Sequence, residues 1–207
     1  MSATDALLAY SLAALLLTLT PGLDTALILR TAAAEGGKKA FQAALGIDAG
    51  CFIWGLFVAL GLGALLAASA TAYDIVKWCG ALYLLWLGIQ LILHPRQSFS
   101  TTQGDVSAPQ SNWFIRGMLG NVLNPKMGIF YVSFLPQFIP AGQPLIAWTF
   151  LLVTIYVVIG TLWSLTLIMM TGYASRLLKS RRFIRWMDRL TGGLFMFFAV
   201  KLALSHR

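Results

Sequence analysis

The chain has 207 residues, 58% of them hydrophobic and only 11% charged, with a formal net charge of +8. So little charge excludes a water-covered globular surface, for which about 25% is usual. The Lys and Arg residues fall in short segments between apolar runs, with no basic stripe interleaved with aromatics, so the positive balance reads as membrane orientation and nucleic acid is not an expected partner.

Six apolar stretches follow one another, each near the ~20 residues that a bilayer-spanning helix needs. They run approximately over Ala6–Leu29, Ala40–Ser69, Ala72–Leu93, Gly117–Ile139, Pro144–Tyr173 and Phe183–Leu204. The expected fold is an all-α integral membrane protein, one transporter-like domain over 1–207, with halves of about 1–93 and 113–207 joined by the polar loop 94–112.

The first stretch lacks a Lys or Arg before Ala6–Leu17, unlike a secretory signal, and reads as a retained span. It carries Thr20-Pro21-Gly22-Leu23-Asp24. Pro21 removes a backbone donor and Gly22 tolerates unusual dihedrals, so a break is expected here, with a second half-helix starting at Pro21. Its free N–H groups and positive dipole end would lie within the membrane. Asp24 beside it is costly, since an Asp or Lys at a helix centre raises insertion free energy by about 2.5–3.5 kcal/mol. The plainer reading is a structural kink capped by Asp24.

The second stretch contains Gly46-Ile47-Asp48-Ala49-Gly50. The glycine spacing suits close helix approach, and Asp48 is expected to project into that interface, as a proton or ion-pair site or as a polar staple. Cys51 and Cys79 lie in different stretches without a CxxC or Cys/His cluster, and read as small buried hydrophobes.

The fourth stretch carries Asn121-Val122-Leu123-Asn124-Pro125-Lys126, a second break. Asn124 suits the cap of a half-helix beginning at Pro125. Lys126 near that N-terminus opposes the dipole, so an anionic partner is expected, either Asp24 or Asp48. A purely structural ion pair is the competing reading. At 1.5 Å per residue, Asp24, Asp48 and Lys126 fall roughly 8–15 Å inside the membrane, where they can share one cavity. Trp54 and Trp163 are deep in their stretches and read as packing residues. Ala174–Leu190 mixes six basic residues with apolar ones; it reads equally as an inner-leaflet segment attracting anionic lipid or as a basic loop entering the last span.

Eleven Lys and Arg residues occupy the odd-numbered connections, including Arg30, Lys38, Lys39 and Arg176–Arg189, against Lys77, Lys201 and Arg207 on the other side. The odd connections are therefore expected in the cytoplasm. Two halves of three spans then have opposite orientations, each opening with a Pro-broken helix, as in the inverted repeats of secondary transporters.

Pro21-Gly22-Leu23-Asp24, Leu123-Asn124-Pro125-Lys126 and the run Gly128–Ile139 resemble the LysE/RhtB-type amino-acid exporters over nearly the whole chain. Position 23 departs from the commoner Pro-Gly-Pro form. The resemblance implies proton-driven efflux of amino acids or close derivatives across a bacterial inner membrane. On this reading no reaction, cofactor or metal is involved. Lys126 and the half-helix N-termini meet a substrate carboxylate, Asp24 or Asp48 meets an ammonium or carries a proton, and Asn121 and Asn124 give neutral hydrogen bonds. Expected partners are the substrate, protons and membrane lipid, anionic lipid included, with a homo-oligomer left open. The rival classes are a membrane thiol–disulfide electron carrier, which needs a reactive Cys pair, and a non-transporting scaffold.

Overall fold

The computed structural model describes residues 2–68, 70–94, 112–171 and 180–204. Most of the expected polar loop 94–112 and the first part of the basic segment 174–190 lie outside the described residues. Among the described residues all the regular structure is helical, in the order α1 (Ala3–Leu19), α2 (Leu23–Glu35), α3 (Gly37–Ala68), α4 (Ala70–Leu93), α5 (Trp113–Val122), α6 (Pro125–Ile129), α7 (Leu145–Met169) and α8 (Arg181–Ala203). Between α6 and α7 come a π-helical turn, Phe130–Phe134, and a 3-10 turn, Leu135–Phe138.

Among the described residues, two helices are by length and composition apolar enough to cross a membrane: α3 through Gly37–Gly61, and α7. The α1–α2 pair passes as a third, bent by 51° at its break. Large apolar side chains such as Leu8, Leu12, Leu162 and Phe197 face outward, an exterior suited to hydrocarbon rather than water. The expected third and sixth stretches are the single helices α4 and α8.

The first stretch divides at Thr20–Gly22, as Pro21 predicts, but the details differ. Thr20 closes α1, its hydroxyl donating to Leu16 O at 2.8 Å. α2 starts at Leu23 with Gly22 as its cap, so Pro21 precedes the helix instead of opening it. Gly22 has φ −145°, extended backbone open to any residue, so unusual dihedrals are not its role. α2 also runs past Leu29 to Glu35, because Ala32-Ala33-Ala34-Glu35 are strong helix formers. It stops at Gly36, whose φ of 89° is the left-handed conformation that favours glycine.

The fourth stretch is not one rod. α5 ends at Val122, Asn124 caps α6, and Pro125 occupies the first turn as expected. The π turn and the Pro136-containing 3-10 turn then carry the chain to Ile139.

α3 is central, packing on α2, α5 and α7, while α4 packs on α8. The α3–α5 contact has almost no space in it. A Cβ added to Gly46 would stand 1.9 Å from Phe114 O, and one on Gly117 2.0 Å from Ala43 O. Tyr10, Phe130, Phe134, Phe138 and Phe198 form the main aromatic core, with successive ring centroids 4.3–6.2 Å apart. Such pairs each add about 0.5–1.5 kcal/mol beyond their area burial.

Candidate functional site

The two breaks meet at one cavity, enclosing about 590 Å³ of non-protein space, part of it open to solvent. Its walls come from α1, α2, α3, α6 and α7, and its charged lining residues are Asp24, Asp48 and Lys126. The expected convergence of these three is therefore present.

Asp24 sits in the first turn of α2, where the positive end of the helix dipole favours a carboxylate. Asn121 Nδ2 donates to Asp24 Oδ2 at 2.9 Å. Asn121 itself is fully buried. Its amide is wedged against α3, where a Cβ on Gly50 would come within 2.8 Å of Oδ1. The Cys51 thiol donates to that same Oδ1 at 3.9 Å, and Trp54 Nε1 to the Asn121 carbonyl at 3.5 Å. Asn121 thus stands behind Asp24 and fixes its direction, while Asn124 reaches the cavity wall.

Asn124 Oδ1 accepts from Lys126 N at 3.1 Å and caps α6. The Lys126 ammonium does not stay at that N-terminus. It crosses to the end of α1 and donates to Leu17 O and Thr20 O, both at 3.4 Å. These carbonyls end a helix, where the dipole is negative, so the break in the first stretch supplies a cation site that the sequence does not display. Asp24 is near enough for its charge to interact with that of Lys126.

Asp48 does not project into the α3–α5 contact. Gly46 and Gly50 face α5, and a residue two positions from each points to the opposite side of a helix. Asp48 therefore faces α7, where Thr161 Oγ1 donates to its Oδ2 at 2.8 Å. The remaining wall is largely apolar, from Leu17, Ile28, Ile47, Met127, Val157 and Leu167.

The sequence reading does not reach Thr161 or the cavity residues Gly160, Ser164 and Tyr156. Small and polar residues at 160, 161 and 164 within an otherwise apolar helix are the signal that could have found them. Trp163, expected to serve packing, also lines the cavity. Trp54 packs as expected, its ring lying where a Cβ on Gly128 would approach to 2.8 Å. Cys51 is buried as expected, whereas Cys79 is exposed on α4, whose outer face suits lipid; both are free thiols.

The family model for the LysE type translocator matches residues 15–206. The chain is 30% identical to an uncharacterized membrane protein, YrhP, of Bacillus subtilis (strain 168), covering 96% of this chain and 99% of the relative. It is 31% identical to a leucine efflux protein of Enterobacter sp. (strain 638), over 95% and 94% of the two chains. It is 32% identical to a homoserine/homoserine lactone efflux protein of Salmonella typhi, over 96% of each. No solved structure matches. With nearly the whole length matched and a lipid-suited exterior around a charged cavity, this multi-pass membrane protein belongs to the LysE type translocator family.

Proposed function

We propose that the protein is a proton-coupled secondary exporter of amino acids or close derivatives across a bacterial inner membrane. The observation that carries this reading is the placement of Asp24 and Lys126 at two helix breaks on one cavity wall. A carboxylate and an ammonium lining one cavity complement the ammonium and carboxylate of an amino acid. The relatives named for leucine and for homoserine or its lactone support the substrate class. In this mechanism the substrate carboxylate displaces the long Lys126 bonds, its ammonium meets Asp24, and Asp24 or Asp48 exchanges a proton as the cavity changes sides.

The proposed membrane plan is six spans in two inverted halves. Its support is the parallel between a broken first element followed by α3 and α4, and a second broken element followed by α7 and α8. In this plan the connections holding Lys38, Lys39 and Arg181–Arg189 are cytoplasmic, within reach of anionic lipid. Cysteines placed at Glu35 and Ser180 in a Cys79→Ala protein should react with an impermeant thiol reagent only from the cytoplasmic side. Reaction of either from outside intact cells reverses the topology.

Reconstituted protein tests the function directly. An imposed pH gradient should drive accumulation of leucine or homoserine in proteoliposomes, and a wild-type protein indifferent to pH would remove the coupling. Gly160→Leu is the matched steric control. Gly160 lines the cavity, and a Cβ there meets no heavy atom within 4 Å. The larger side chain should therefore fill substrate space without forcing backbone apart. Export should fall at least about tenfold, because even about 1.4 kcal/mol of lost binding is tenfold. Unchanged export by a correctly inserted Gly160→Leu protein would show that substrate passes elsewhere.

A further inference from the structure

The aromatic core beyond the cavity contains oxygen atoms that packing alone does not explain. Tyr10 and Tyr131 are fully buried. Among the described residues neither hydroxyl has a hydrogen-bond partner, and neither has the buried Thr18 Oγ1. The Tyr131 hydroxyl is beside the Cys51 thiol, and the Thr18 hydroxyl beside that of Tyr156, in both cases short of hydrogen-bond geometry. Buried polar atoms are nearly always paired, since an unpaired one bears its full desolvation cost. Phe and Val would fill the same volumes without that cost.

Other unpaired buried polar atoms occur at Thr31, Gln137, Thr149 and Trp163, but Tyr10, Thr18 and Tyr131 share the region around Cys51 and Tyr156. From Asp24, polar atoms continue through Asn121 at 2.9 Å and Cys51 at 3.9 Å toward Tyr131. Thr18 and Tyr156 belong to the cavity wall. Tyr10 packs tilted against Phe130 and edge-on against Phe138, with centroids 6.2 and 5.3 Å away. Tyr10 and Thr18 lie on α1, on the far side of the break from Arg30, Lys38 and Lys39. Tyr131 lies in the π turn, and such irregular turns are common at functional sites. The elements that carry the hydroxyls are thus the broken one and the irregular one.

We infer that Tyr10, Thr18 and Tyr131 line the outer half of the translocation path, closed here by aromatic packing and opened when α1 pivots at Thr20–Gly22. A hydroxyl both donates and accepts, so it serves either end of a zwitterion after release from Asp24 and Lys126. The costly unpaired oxygens of this closed state gain partners in the open one. This rests on the exporter reading above.

The test compares Tyr10→Phe, Thr18→Val and Tyr131→Phe, each purified and reconstituted with leucine and homoserine as probes. Tyr131→Phe and Tyr10→Phe should each slow export about fivefold or more. Half-saturation from the cytoplasmic side should stay as in the wild type, and melting temperature in detergent should hold or rise. Undiminished export in all three variants overturns the inference, as does a loss of export that accompanies a lower melting temperature. Tyr10→Cys gives a readout independent of substrate: the new thiol should react with an impermeant reagent from the outer face, above the background of the wild-type cysteines. Failure of wild-type export, with the Tyr10→Cys thiol still labelled, would sink the exporter reading alone, whereas no labelling would sink the path.

Discussion

Asp24→Asn should reduce pH-driven accumulation by about 100-fold or more while leaving the helices in place. The substitution keeps the size and shape of the side chain, and its amide oxygen can still accept from Asn121 Nδ2, now 2.9 Å from Asp24 Oδ2. What disappears is the anion. A charged hydrogen bond contributes about 1.5–3 kcal/mol, and a hundredfold loss corresponds to about 2.8 kcal/mol. The affected contact is the one proposed for the substrate ammonium. Coupling should suffer as well, because an amide cannot carry the proton. Asp48→Asn should cost less, since Asp48 lies on α3 rather than at a helix break and already accepts from Thr161 Oγ1. Full pH-driven accumulation by both Asn variants would eliminate the carboxylate mechanism. Retained substrate exchange without accumulation in Asp24→Asn would separate binding from coupling and assign the proton to Asp24.

How much of this site is visible in the sequence depends on how local its causes are. Pro21 and Pro125 each remove a backbone donor, so both breaks are legible without any neighbour. Asn124 is one residue before Pro125, and its capping bond follows from that spacing. Gly46 and Gly50 announce a close approach, but α5 as the partner does not follow from them, because the partner is a helix distant in sequence. The contacts of Lys126 escape the sequence for the same reason. Dipole logic applied to α6 alone asks for an anionic side chain, whereas the side chain reaches the carbonyl end of α1, over 100 residues earlier. Asp48 shows the reverse case: helical geometry alone places it opposite Gly46 and Gly50, so the expectation that it enters their interface was wrong on local grounds. The π turn at Phe130–Phe134 has no local signature. Its aromatic side chains take their positions from Tyr10, Tyr156 and Phe198 on three other helices.

The largest structural effect is expected at the α3–α5 crossing, from a single methyl group. In Gly46→Ala the new Cβ would stand 1.9 Å from Phe114 O, 2.8 Å from Phe114 C and 2.9 Å from Met118 N. All three are backbone atoms, so no side chain can rotate aside. Gly117→Ala makes the reciprocal clash, 2.0 Å from Ala43 O. The two helices must separate by an ångström or more, on the order of the overlap. Within a bilayer that close packing is itself the attraction, since lipid competes equally for apolar side chains. Each substitution should therefore destabilise the protein by about 3 kcal/mol. Transport should fall too, because α5 carries Asn121, and Asn121 is held between Gly50 and Asp24. Moving α5 outward withdraws the amide that aims the carboxylate. Gly120→Ala is the internal contrast: it lies on the same helix, a Cβ there meets nothing within 4 Å, and replacing a helical Gly by Ala should stabilise by about 0.5–1 kcal/mol. Melting curves of the three purified variants in one detergent decide the matter. Gly46→Ala and Gly117→Ala should melt well below the wild type, and Gly120→Ala at or above it. Wild-type melting of Gly46→Ala would mean that α3 and α5 do not touch at Gly46, and the support of Asp24 by Asn121 would lose its structural basis.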